Sequence, residues 1–260
     1  MTIREHKYNA SSAIGSNLWA VAKIMLVYDF FMSLADIVMD LLGLSNTVLL
    51  SAIPLSSLLL KPAFIIGLSS VALTLQRGRE PDCSQLKKGF EHYGKSMLLY
   101  YSCLIPSLLW GILFIVPGVI KWYSYSMAPF IMAENPGFSA EEAREWSAEL
   151  TREYKLRIFL LDLSFVGWGA AVLILWPLFK TGTLLYLLVG LAVSLVLSLW
   201  VIPYVITSRA DLYQYLKTQK DDETLRNLGK KDAEEADSID DAYWFPITPE
   251  MQKKWHDRHQ

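Results

Sequence analysis

The chain has 260 residues, 53% of them hydrophobic and 19% charged, with a mean hydropathy of +0.27. That content excludes disorder of the whole chain. A net charge of −2 gives no basic field for nucleic acid, and two cysteines, Cys83 and Cys103, exclude a disulfide-stapled scaffold and a four-cysteine metal site. An integral membrane protein remains. The expected fold is all-α, a polytopic bundle of about six transmembrane helices with one cytoplasmic, interfacial amphipathic helix.

Residues 1–16 read as a polar cytoplasmic N-terminus with Arg4 and Lys7. A helix needs about 20 mostly apolar residues to cross roughly 30 Å of hydrocarbon. The first such stretch covers 17–42 and the second 48–75. The short link Gly43-Leu44-Ser45-Asn46 makes them an antiparallel hairpin. A polar segment follows, with Arg77, Arg79, Lys87, Lys88 and Lys95. The apolar run Ser96 to Ala133 is too long for one span. Pro117-Gly118 predicts the break, giving spans over 96–116 and 119–134. A re-entrant element at 119–134 satisfies the same charge pattern.

Ser139 and Glu142 form a capping-box pattern. Ala143, Trp146, Leu150 and Tyr154 then recur at helical spacing, predicting an amphipathic helix on the cytoplasmic interface. Spans over 157–178 and 182–206 complete a bundle of residues 17–216. Residues 217–260 read as a charged, mostly disordered cytoplasmic tail. With six spans and both termini inside, 20 of the 24 Lys and Arg lie on the cytoplasmic side. Membrane proteins concentrate short-loop Lys and Arg on that side.

A charge at membrane depth is costly and calls for a partner. Asp29 and Lys61 are each 16 positions from the hairpin link near residue 45, so they are expected at similar depth and as a pair. Asp162 is the third intramembrane charge. Tyr123, Tyr125 and Ser126 are its expected hydrogen-bond partners. Two readings of this polar set stay open: structural pairs that fix helix register, or a polar path for an ion, proton or solute. His6, His92, His256 and His259 form no metal-ligand pattern, and no nucleophile has a base beside it. Neither a cofactor nor catalysis is expected. The expected surroundings are a lipid bilayer, and Tyr243, Trp244 and Phe245 in the polar tail suggest a protein-docking arm. Folding back onto the bundle is the other reading of that cluster.

Four blocks carry a resemblance. They are Pro117-Gly118-Val119-Ile120-Lys121-Trp122-Tyr123-Ser124-Tyr125-Ser126-Met127-Ala128-Pro129; Ala133-Glu134-Asn135-Pro136 with Ser139-Ala140-Glu141-Glu142-Ala143; Asp162-Leu163-Ser164-Phe165-Val166-Gly167-Trp168; and Pro203-Tyr204 with Ala210-Asp211-Leu212-Tyr213. In this order they resemble a bacterial integral membrane family, domain-of-unknown-function family 975, over about residues 10–216. The resemblance implies a multi-pass protein of the bacterial plasma membrane and brings no catalytic residues. It suggests an immunity, transport-accessory or membrane-assembly role. A small-solute or ion transporter is the alternative, weakened because no inverted internal repeat is visible. A lipid-modifying membrane enzyme is a more distant third reading.

Overall fold

The computed structural model describes residues 1–43, 55–167, 192–193 and 195–236, with the backbone alone at 55 and 222–236. The described residues are helical, joined by turns and short loops, without strands. They fall in two compact units, Met1–Lys217 and Thr218–Gln260.

The first unit opens with a helix that the charged N-terminal sequence concealed. α1 (Ile3–Ser16) starts at a Thr2–Glu5 capping box, in which each side chain satisfies the other residue's backbone N–H. α2 (Leu18–Leu41) follows the first predicted span closely. α3 (Leu55–Gln76) carries the C-terminal part of the second. A 3₁₀ turn, Cys83–Lys87, and the short α4 (Lys88–Glu91) lead to α5 (Tyr93–Leu113), which covers most of the third predicted span.

The next break differs from expectation. It lies at Phe114, whose φ of −150° and ψ of 119° are extended, and not at Pro117-Gly118. Pro117 instead occupies the first turn of α6 (Ile115–Ser124), where a missing N–H costs no helical bond. Gly118 has a different task. α6 folds back along α5, and a Cβ on Gly118 would lie 2.4 Å from the Gly111 Cα. A glycine at 118 permits that approach, whereas a Cβ on Gly111 would meet open space.

The stretch predicted as one span over 119–134 holds two helices, the end of α6 and α7 (Ala128–Glu134). The break exposes backbone groups that α8 (Ala140–Leu150) satisfies. Ser147 Oγ donates to the Ser124 carbonyl at 2.8 Å and accepts from the Met127 N–H at 3.2 Å. Thr151 donates to the same carbonyl at 3.2 Å. α8 begins at the predicted Ser139–Glu142 capping box. Its buried face is Ala140, Ala143, Ser147 and Leu150, while Trp146, assigned to that face from spacing, is exposed.

α9 (Lys155–Leu163) starts the fifth predicted span, which continues into residues outside those described. A π-helical turn, Leu197–Val201, precedes α10 (Ile202–Ala236). The wide turn falls where the Pro203 ring would clash with the carbonyl four residues earlier. Helix thus covers residues 218–236 of the second unit, the first part of the segment expected to be mostly disordered. Tyr243, Trp244 and Phe245 lie outside the described residues.

One core cluster joins α7, α8 and α9 to residues of α10 (Met127, Ile131, Ala143, Ile158, Leu161, Leu212), and another joins α1, α2 and α3 (Ile14, Ile24, Phe64, Leu75). The opposite faces are apolar yet uncovered. Trp19 of α2 is 80% exposed, Ile112 of α5 75% and Ile115 of α6 77%. Among the described residues two helices, α3 over Ser56–Gln76 and α5, are long and apolar enough to cross a membrane.

Candidate functional site

α10 gathers the polar interior of the first unit. Arg209, Tyr213 and Lys217 recur every four residues and therefore share one helix face. Arg209 holds Asp162 of α9 with two bonds, Nε to Oδ1 at 2.9 Å and Nη2 to Oδ2 at 2.6 Å. Both side chains are largely shielded, 29% and 16% exposed. This paired geometry suits a planar guanidinium on a carboxylate. One turn on, Tyr213 Oη donates to Glu134 Oε2 at 2.7 Å, and Lys217 Nζ donates to the same oxygen at 2.9 Å. Arg77, just past the end of α3, donates to the other carboxylate oxygen. Glu134 therefore joins α7 to α10 and to the loop after α3.

Between these two, Asp211 turns toward α1. Its Oδ2 lies 2.5 Å from His6 Nδ1, and its Oδ1 accepts from Asn9 Nδ2 at 3.2 Å. His6 is fully buried, and its Nε2 has no hydrogen-bond partner among the described residues. The imidazole packs edge-on against Tyr215. Lys7 completes the attachment of α1, donating to Ser164 Oγ at 3.2 Å and lying 4.3 Å from the centre of the Phe165 ring.

The expected polar set is only partly assembled. Asp162 is held chiefly by Arg209 rather than by the tyrosine or serine hydroxyls expected as its partners. Tyr123 lies beside Asp162 within hydrogen-bonding reach. Ser126 donates to the Tyr123 carbonyl at 2.8 Å, and Tyr125 stacks near the cations of Lys121 and Arg144. Asp29 and Lys61 are not brought together. Asp29 accepts from Ser198, beside the π turn, whereas Lys61 is exposed. Equal depth fixes height along a hairpin but not the direction in which each side chain points. Asp36, further along α2, accepts from Ser56.

Sequence reasoning missed His6, Glu134, Arg209, Asp211 and Lys217 as a set. The signal was present in two forms. The Ala210-Asp211-Leu212-Tyr213 block sets an acid between two apolar residues that are fully buried, with a phenol next to them, and Thr2 and Glu5 mark a helix start at the N-terminus.

The four blocks that carried the resemblance all fall on α6 to α10 or the undescribed residue Trp168. Residues 112–220 match the family model described as Protein of unknown function (DUF975). The DUF975 match covers the α6–α7 break, the Asp162–Arg209 pair and the Glu134 hub, and leaves out residues 10–111 of the expected extent. No curated protein and no solved structure shows a significant match to the chain. Among the described residues of the DUF975 segment and the rest of the chain, no cluster of His, Cys, Asp and Glu is arranged to hold a metal ion.

Proposed function

We propose that the chain is a multi-span membrane protein whose role is to bind a partner, as an accessory, immunity or assembly protein, and that it neither catalyses a reaction nor moves a solute. The observation that carries this reading is the satisfaction of the carboxylates in the first unit. Asp29, Asp162, Glu134 and Asp211 each hold a bonded partner. A transport path needs sites that are filled and vacated in turn. Carboxylates locked to guanidinium, ammonium, imidazole and hydroxyl groups fix helices instead.

The membrane placement is supported by the uncovered apolar faces of α2, α5 and α6. A soluble monomer rarely exposes a contiguous apolar patch beyond a few hundred Å². In this reading the six apolar segments cross the bilayer, with α6 and α7 serving as a bent or re-entrant fourth element. The termini and the ends bearing Arg77, Lys95 and Lys217 are cytoplasmic. Reconstitution tests the choice between binding and transport. Vesicles containing the chain are expected to dissipate an imposed proton or potassium gradient no faster than empty vesicles. A faster flux that Asp162→Asn abolishes would establish the transporter reading.

A further inference from the structure

A cavity of about 90 Å³ opens between α3, α5, α6, α7 and the Arg209 turn of α10. Most of its wall is apolar, with Ile65, Leu99, Leu104 and Pro129 among the lining residues. The serines on its wall have committed their hydroxyl hydrogens to backbone carbonyls: Ser96 to Gly89 at 2.7 Å, Ser107 to Cys103 at 2.7 Å and Ser126 to Tyr123 at 2.8 Å. Besides the indole N–H of the exposed Trp122, three donors make no hydrogen bond among the described residues. The hydroxyls of Tyr100 and Tyr125 make no hydrogen bond among the described residues, and both residues line the cavity. Arg209 uses Nε and Nη2 on Asp162, and its Nη1 makes no hydrogen bond among the described residues. Among the described residues no Asp or Glu lines the space.

A mostly apolar cavity with an unused guanidinium N–H and two phenol hydroxyls able to donate, and no carboxylate among its described lining residues, selects its ligand by charge. The body of the ligand is apolar and its polar end accepts hydrogen bonds. The surroundings indicate where such a ligand comes from. Trp122 on the cavity wall is exposed, and Ile105 and Leu108 extend the exposed apolar face of α5 beside it. Tyr100 stands two turns from the start of α5, a helix long and apolar enough to cross a membrane. A molecule lying in the adjacent hydrocarbon can place its chain along α5 and its head against Tyr100, Tyr125 and Arg209.

We propose that this cavity binds a membrane amphiphile, an acyl chain carrying a carboxylate or phosphate head. Asp162 holds the guanidinium edge-on, so Arg209 stays in place to donate through Nη1 while the tyrosines donate from α5 and α6–α7. The proposal rests on the reading that the outer faces of α5 and α6 contact hydrocarbon, and it deepens the binding role by naming a ligand class.

The test uses the full chain purified in a neutral detergent and offered palmitate, phosphatidylglycerol or hexadecylamine, with adducts counted by native mass spectrometry. A single adduct is expected with palmitate, phosphatidylglycerol or both, at least about tenfold tighter than with the chain-matched amine, whose head is a donor. Palmitate alone identifies a free fatty acid as the source, and phosphatidylglycerol alone a lipid headgroup. The double variant Tyr100→Phe/Tyr125→Phe keeps the shape, removes two donors and is expected to weaken binding about tenfold. Equal binding of the amine, no adduct, or unchanged binding by the double variant overturns the proposal. Membrane retention of the same chain after carbonate washing is read separately. Loss of the adduct with retention intact overturns this site alone, and loss of retention overturns the membrane reading.

Discussion

Removing Asp162 or Arg209 alone leaves a shielded charge without its partner. For a fully buried pair that loss is about 3–5 kcal/mol. Here the side chains are 16% and 29% exposed, so water recovers part of it, and about 2–3 kcal/mol is expected for each single change. Arg209→Gln should cost more than Asp162→Asn, because it strands the more deeply shielded member. Tyr123 offsets some of that cost by remaining beside Asp162. The double variant Asp162→Asn/Arg209→Gln leaves two neutral amides that can bond to each other. Its cost should therefore fall short of the sum of the singles by about 1–2 kcal/mol. Thermal unfolding of the four proteins in one detergent measures this, with Tm falling about 2–4 °C per kcal/mol for a chain of this size. Additivity of the singles within about 0.5 kcal/mol would refute the reasoning, since a pair that holds α9 to α10 must show coupling.

Other outcomes follow from the same contacts. Gly118→Ala should destabilise the chain by about 2 kcal/mol, because the gain of up to about 1 kcal/mol in helix propensity is smaller than the cost of parting α5 from α6. Gly94→Ala, with open space around its position, should be neutral or slightly stabilising in the same melt. Ser147→Ala should cost about 2–4 kcal/mol by stranding the Met127 N–H and weakening the bond to the Ser124 carbonyl; a loss below about 1 kcal/mol would show that the α6–α7 break is satisfied by other means. Glu5 is held below its ordinary value of 4.5, chiefly by the Thr2 backbone N–H. Its contribution to the start of α1 is therefore present above that ordinary value and is lost as pH falls through the lower folded value. Glu5→Gln should remove that pH dependence from amide exchange in α1, and an unchanged acid profile would contradict the assignment.

Hydropathy placed α2, most of α3 and α5 because long apolar runs have few alternatives in a chain this rich in them. The capping box placed α8 because Ser139 and Glu142 lie beside their partners in sequence. Two kinds of feature escaped. Helix breaks follow backbone satisfaction: α5 ends at Phe114, and Ser147, 20 residues beyond Met127, repairs the gap before α7. Pro117 drew attention as a breaker while fitting comfortably into a first helical turn. Ion-pair partners follow helix azimuth, which linear spacing within a hairpin does not fix. Asp29 and Lys61 are equally far from the link in sequence, yet Asp29 bonds Ser198 and Lys61 is exposed, and Asp162 finds Arg209 some 47 positions away. His6 escaped because its partner, Asp211, is 205 positions distant and nothing local marks a buried imidazole.

Membrane embedding is the premise shared by the binding role and the amphiphile site, and extraction tests it most directly. Membranes from cells producing the full chain are washed with alkaline carbonate, which strips peripheral proteins, and the chain is assayed in the pellet and the supernatant. The uncovered apolar faces of α2, α5 and α6 predict that it stays in the pellet and is released only by detergent. Recovery of folded chain in the carbonate supernatant would contradict the account.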